Sequence, residues 1–116
     1  MVLLLAGCAL GAGATATKTV DVSVRTAAGE QLAFTPSDVS VPAGADVHVT
    51  FTNGSSFAHN LVFTSGITAA TPTIVEPGQS AELAFRPTVP GTYPFVCTIH
   101  DGMHGTLTVL AQTAGR

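Results

Sequence analysis

The sequence predicts an all-β domain, built as a sandwich or a barrel. Three observations predict it. Apolar and polar residues alternate with a period of two in several short segments, turn-forming pairs separate these segments, and no stretch keeps a helical period. Such alternation places one face of each strand on a core and the other face in solvent. Many short strands at this spacing are typical of sandwiches and barrels.

The alternating segments occur at four places along the chain, at residues 19–25, 46–52, 80–86 and 106–109. The turn signals that separate the predicted strands are Ala28-Gly29, Pro42-Ala43-Gly44, Asn53-Gly54, Pro77-Gly78 and Pro90-Gly91. Residues 65–79 are the least regular part of the chain. Either a short strand around Ile74-Val75 or a loop fits them.

Composition indicates a single folded domain, which we place at residues 18–112. The 116 residues match the roughly 100–200 residues of one domain. Apolar residues make up 46% of the chain and charged residues only 9%, which suits a buried core rather than disorder. The net charge is −3 and the four basic residues are scattered, so nucleic acid is not expected as a partner. We expect a monomer.

The N-terminus carries an export signature. Residues 1–7 are apolar, and Leu5-Ala6-Gly7-Cys8 resembles a bacterial lipobox, in which the cysteine becomes the first residue and carries a lipid. A complete signal needs roughly 15–30 residues with a basic start, so residues 1–7 are interpreted as a signal-peptide remnant. Residues 8–17 would be a flexible, lipid-anchored tether. The alternatives are an apolar stub and a disulfide between Cys8 and Cys97.

A cysteine, a histidine and a methionine follow one another at three-residue spacing in Cys97-Thr98-Ile99-His100-Asp101-Gly102-Met103. Cys97 shares a strand face with Phe95, so its thiol should point inward at the end of the strand. The chain is then expected to re-enter a strand at about Thr106. A second imidazole must come from elsewhere, and His59 is the best candidate because it begins an apolar stretch after the Asn53-Gly54 turn.

These donor types point to copper. Thiolate and thioether sulfurs favour copper(I), imidazole suits copper in both oxidation states, and two His with one Cys and a weak axial Met form the blue-copper set. We therefore predict one copper ion held by His59, Cys97, His100 and Met103. Zinc is the rival metal, but its sites take Cys, His and carboxylate rather than thioether.

Simpler interpretations of the same residues stay open at this point. Cys97 fits an inert buried thiol, Met103 fits a core side chain, and either histidine fits an ordinary loop position. His48 lies on the polar face of its strand and is interpreted as a surface residue. His104 directly follows Met103 and is a competing ligand, although its use would abandon the three-residue spacing.

Residues from about 38 to 110 resemble the cupredoxins, the type 1 blue copper proteins, in the manner of plastocyanin-like, amicyanin-like and halocyanin-like domains. The matching features are His59-Asn60, Glu76-Pro77-Gly78-Gln79-Ser80, Pro90-Gly91-Thr92-Tyr93 and the cysteine loop. The resemblance implies a Greek-key β-sandwich of about eight strands with copper at one end. It also implies that the Asn60 amide hydrogen-bonds the Cys97 sulfur and that the Asn60 side chain ties its loop to Thr98.

The function that these features predict is single-electron transfer between redox partners outside the cytoplasm, through Cu(II)/Cu(I) cycling. Enzymatic activity is not expected, because four protein ligands leave no open position for a substrate. The expected partners are a c-type cytochrome or a membrane oxidase or reductase complex. The expected location is the periplasm or the outer face of the cell membrane. The alternative is a copper-binding or copper-delivery lipoprotein without a redox partner.

The resemblance also implies where a partner docks. In cupredoxins the histidine of the cysteine loop gives the electron route, so His100 is the expected exit. The residues expected around it are Ala43-Gly44, Ser56-Phe57-Ala58, Ile99 and Gly102. The seven carboxylates look dispersed along the sequence, which predicts a small apolar contact with little dependence on salt.

Overall fold

The computed structural model describes residues 18–112, and within that range it contains eight β-strands. The strands are β1 (Thr19–Thr26), β2 (Phe34–Thr35), β3 (Asp38–Pro42), β4 (Asp46–Thr52), β5 (Val62–Phe63), β6 (Ser80–Phe85), β7 (Gly91–Val96) and β8 (His104–Leu110). None of the described residues forms a helix long and apolar enough to cross a membrane. The predicted signal remnant, the tether and Cys8 lie outside the described residues.

The strands form two four-stranded sheets, in the orders β2-β1-β4-β6 and β3-β8-β7-β5. Both sheets are mixed, because β1 pairs with β4 and β3 pairs with β8 in parallel while the other pairs are antiparallel. The predicted all-β sandwich of about eight strands is confirmed. Neither parallel pairing could be read from the sequence, since periodicity gives the faces of a strand and not its neighbours.

The core lies between the two sheets and follows the predicted alternation. Val47, Val49 and Phe51 of β4 are buried, and so are Leu107 and Val109 of β8. Strands β2 and β5 have only two residues each, too few to show a period. The irregular stretch from 65 to 79 is a loop that contributes only single bridges, one of them between Val75 and His59.

The register defines two ends of the sandwich. At one end, which we call the site end, Thr52 pairs with Ser80 and Val96 pairs with His104. At the other end, the far end, Thr19 pairs with Asp46. The loops 53–61 and 97–103 both leave strands at the site end, so residues distant in sequence meet there.

A glycine allows β7 and β8 to approach closely at the site end. Gly105 pairs with Phe95, and the Phe95 ring lies directly over it. A Cβ at position 105 would also lie 2.7 Å from the carbonyl oxygen of Ser37. Position 105 therefore has room only for glycine. The close pairing with Phe95 holds in place the strand that follows the cysteine loop.

Candidate metal centre

Three metal-binding side chains meet at the site end. His59 comes from the loop after β4, while Cys97 and His100 come from the loop between β7 and β8. One donor atom from each residue lies within 4.8 Å of the other two. The His59 Nδ1 atom is 3.7 Å from the Cys97 Sγ atom, and the two imidazole centroids are 4.7 Å apart. These spacings suit three ligands of a single ion.

His59 is held by its backbone, and its ring faces the Cys97 sulfur. Its N–H donates to the Val75 carbonyl and its own carbonyl accepts the Val75 N–H, at 3.1 and 2.9 Å. The side chain is fully buried, and its Nε2 atom has no hydrogen-bond partner among residues 18–112. Burial, assisted by the nearby His100, lowers the pKa of His59. The imidazole is therefore neutral at neutral pH, the form that binds a metal.

Cys97 and Met103 close the second loop. The Cys97 N–H donates to the Met103 carbonyl at 3.1 Å, and both side chains are buried. The following strand begins at His104, two residues earlier than the expected Thr106. This loop is therefore shorter than predicted, and it places Met103 beside Cys97 at the edge of the core.

The two loops are joined by Asn60. Its Oδ1 atom accepts the Thr98 N–H at 2.9 Å, and its Nδ2 atom donates to Thr98 Oγ1 and to the Thr73 carbonyl, both at 2.8 Å. The side-chain tie to Thr98 that the resemblance implies is thus present. The implied bond from the Asn60 amide to the Cys97 sulfur is not among the hydrogen bonds of the described chain. The polar atom placed near that sulfur is His59 Nδ1.

His100 is half-buried and is held on two sides. Its Nε2 atom lies 3.0 Å from the Ala58 carbonyl oxygen, which accepts the N–H when this nitrogen is protonated. The Phe57 ring packs beside it, with the centroids 5.8 Å apart. His100 thus reaches the surface next to an exposed aromatic side chain.

Sequence reasoning missed one residue that organises the site, Asn53. In the sequence it is visible only as part of an Asn-Gly turn, yet its side chain is completely buried. Its Nδ2 atom donates to the Phe57 and Val75 carbonyls at 2.7 and 2.8 Å, and its Oδ1 atom accepts from Thr26 and Ser55. Asn53 therefore anchors the loop that carries His59. In the sequence, its position six residues before His59 is the one signal of this role.

The remaining histidines stand apart from the three donors. His48 is exposed on the outer face of β4, as predicted. His104 is exposed at the start of β8 and is not a member of the donor group. The structure brings no support for His104 as a competing ligand.

Two parts of the docking prediction are wrong. Ala43 and Gly44 lie at the far end, where their N–H groups donate to the carbonyls of Leu110 and Pro87. The carboxylates are also unevenly divided in space, because the described residues of the site-end half carry five of the seven against a single guanidinium. These residues are Glu30, Asp38, Glu76, Glu82, Asp101 and Arg25. The long-range strand pairing brings them to one half of the domain.

The donor chemistry fits copper. A buried thiol and two imidazoles, one of them with an unpartnered nitrogen, form the trigonal set that suits copper, and no carboxylate belongs to the group. The predicted cofactor, one copper ion, agrees with this donor set.

Comparison with known proteins gives the same family. Residues 1–109 match the family model described as "Cupredoxin-like domain". The plastocyanin of Sambucus nigra is 38% identical over 91 residues, covering 67% of this chain and 88% of that protein. The chloroplastic plastocyanin of Physcomitrium patens is also 38% identical, over 67% of this chain, and the chain spans 51% of its length.

Solved structures agree with the sequence relatives. A structure of auracyanin B, a protein known from Chloroflexus aurantiacus, has a TM-score of 0.71 at 28% identity and covers 82% of this chain and 91% of its own. A reduced Cu(I) form of an amicyanin mutant has a TM-score of 0.59 at 29% identity and covers 78% and 82%. The chain belongs to the cupredoxin family, and the resemblance noted in the sequence is confirmed.

Proposed function

We propose that this protein carries single electrons at one type 1 copper centre whose ligands are His59, Cys97, His100 and Met103. The observation that carries the proposal is the meeting of three donor atoms within 4.8 Å at one end of a cupredoxin sandwich. Copper supplies the Cu(II)/Cu(I) couple. The similar amicyanin structure, reported as a reduced Cu(I) form, supports this choice of metal and of chemistry.

The role of the protein is to hold the ligands in one arrangement for both oxidation states. His59 is fixed through its two backbone bonds to Val75, and the Cys97 N–H is fixed by the Met103 carbonyl. Asn60 joins the loops of both ligands. Because these bonds join protein to protein, the ligand positions do not depend on the charge of the ion. Little rearrangement then accompanies each electron transferred.

The proposed axial ligand is Met103. Its side chain is only 1% exposed, and its backbone lies against that of Cys97. Four protein ligands would leave no position for a substrate, which supports a carrier rather than an enzyme.

Met103→Leu is expected to keep copper and to raise the reduction potential. The thioether donates weakly to Cu(II), so its loss favours Cu(I). A tenfold change in the relative affinity for the two oxidation states corresponds to about 59 mV for one electron, and we expect a rise of that order. A redox titration of the blue band measures it. An unchanged potential, or loss of the metal, would contradict an axial Met103.

The proposed exit for the electron is His100, and the partner is a redox protein such as a c-type cytochrome or a membrane oxidase or reductase complex. Phe57 and Ile99 flank His100 with about two-fifths of their surface exposed, 40% and 38%. Asp101 directly follows His100, and Glu76 directly follows Val75, the backbone partner of His59. Such a surface suits a small apolar contact on a partner that has a basic rim.

Ile99→Lys is expected to slow electron transfer to a basic c-type cytochrome several-fold while leaving the blue spectrum unchanged, because a charge enters the apolar contact. In contrast to the expectation from sequence, the wild-type rate should fall as ionic strength rises, since the site end is acidic. Stopped-flow measurement of the second-order rate across a salt series tests both points.

The matched control is Leu110→Lys, which adds the same charge at an exposed apolar residue of the far end. It should leave the rate nearly unchanged. Equal slowing by both variants would refute docking at the site end. No electron exchange with any cytochrome, combined with copper release to an apo-acceptor, would favour the copper-delivery alternative.

We also propose that the protein works outside the cytoplasm, attached to a membrane through a lipid on Cys8. The lipobox-like residues 5–8 support it. Mass spectrometry of membrane-extracted protein should find a diacylglyceryl group on Cys8. A Cys8–Cys97 disulfide in that material would contradict both the anchor and the copper ligand.

A further inference from the structure

The chain enters the described domain at the far end, opposite the donor cluster. The Lys18 carbonyl accepts the Asp46 N–H at 2.8 Å, and Thr19 pairs with Asp46. Cys8 precedes Lys18 by only ten residues, and a chain of that length spans at most roughly 35 Å even when fully extended. An anchor at Cys8 therefore holds the far end close to the surface to which it is attached.

The far end also presents the two most exposed large apolar side chains of the described chain. Val89 is 65% exposed and Leu110 is 50% exposed. Both lie at the far end, because Val89 precedes β7, Leu110 ends β8, and Gly91 pairs with Val109 there. Both positions are held firmly: the Val89 carbonyl accepts the Tyr93 hydroxyl, and the Leu110 carbonyl accepts the Ala43 N–H. Two exposed apolar side chains therefore stand at the far end on backbone that is held in place.

Charge distinguishes the two ends. The far end carries Lys18 and the ion pair between Arg86 and Asp46, whose Nε and Oδ1 atoms are 2.8 Å apart. The described residues of the far-end half carry two carboxylates, Asp21 and Asp46, against Lys18 and Arg86, so their charges cancel, whereas the site-end half carries five carboxylates against one guanidinium. An anionic surface attracts basic groups next to it and repels acidic ones. An anionic surface therefore repels the far end less than it repels the site end.

We propose that the far end rests on an anionic lipid bilayer through Val89, Leu110 and Lys18, so that the donor cluster faces the water. This inference rests on the proposed membrane attachment. It assigns the far end a function separate from electron transfer: it orients the domain. The site end has exposed apolar residues too, and its acidic charge is what turns it away from the lipid.

The chain contains no tryptophan, so a single introduced one reports contact with lipid. The full copper-loaded chain is coupled through Cys8 to a maleimide lipid in vesicles with 30% phosphatidylglycerol, about a third of the lipid being anionic. Retention of the blue band shows that Cys97 has not reacted. After reduction to Cu(I), quenching by brominated lipid is measured for Val89→Trp and for Leu32→Trp, a matched residue that is 41% exposed in the loop at the site end.

We expect quenching of Val89→Trp to be at least twice that of Leu32→Trp, and this difference to shrink when Lys18→Glu is added or when the lipid is neutral. Equal quenching, stronger quenching of Leu32→Trp, or no quenching of either would overturn the proposal. The blue band and the cytochrome rate are measured on the same samples. The cytochrome rate tests the proposed electron transfer and the quenching tests the proposed orientation, so the failure of either proposal is recognised separately.

Discussion

Replacing Cys97 by serine should abolish the intense blue absorption completely. The thiolate is the donor responsible for the strong charge-transfer band, and a hydroxyl does not replace it in that role. The side chain is 4% exposed and serine is close to it in size, so the domain itself should stay folded. We expect at least a tenfold loss of Cu(II) affinity together with the loss of colour. Visible absorption during copper titration measures both.

The matched control for this experiment is His104→Gln. His104 is the first residue after the cysteine loop, where β8 begins, but it is exposed and outside the donor group. Its replacement should leave the band intact. Persistence of the band in Cys97→Ser, or its disappearance in His104→Gln, would show that the ligand assignment is wrong. Far-ultraviolet circular dichroism confirms that both variants are folded.

Asn53→Ala is expected to reduce the free energy of unfolding of the apo-protein by roughly 3–5 kcal/mol, a large share of the 5–15 kcal/mol typical of a domain. The amide donates to two backbone carbonyls and accepts from Thr26 and Ser55 in a fully buried position. Alanine leaves buried polar groups short of partners. Urea unfolding of the apo-protein gives the value.

The site should respond as well, because the carbonyls that Asn53 holds belong to Phe57 and to Val75, the backbone partner of His59. We expect a weaker or broader blue band in the copper form. The control is Thr52→Ala, which removes an exposed bond to the Ser80 hydroxyl and should cost less than about 1 kcal/mol. Equal losses of unfolding free energy in the two variants would show that Asn53 does not anchor the loop.

The sequence was sufficient for those features that local pattern determines. Alternation identified β1, β4, β6 and β8, because each presents one face to the core over six or more residues. The three-residue spacing of Cys97, His100 and Met103 identified the loop because donor type alone restricts the metal. His59 was found by its place after a turn, and the structure sets it beside Cys97.

The features that the sequence does not predict depend on contacts between distant segments. The position of Ala43-Gly44 at the far end follows from the parallel pairing of β3 with β8, which no local period reveals. The site end is acidic because the fold brings Glu30, Glu76 and Asp101, which belong to three separate loops, to the same end of the domain. Asn53 shows the same difficulty: an Asn-Gly pair predicts a turn whether or not the amide is buried.

The place of β8 in its sheet has a consequence for the order in which the molecule is made. This last strand lies between β3 and β7, and its first residue directly follows Met103. A chain still lacking residues 104–110 has neither the partner for β3 nor the support for the cysteine loop. Formation of the complete sandwich therefore requires the chain through Leu110, and domains rich in pairings of such long sequence separation fold in milliseconds to seconds. The copper cage is then completed only once β8 is in place, after every other strand of the described domain has been made.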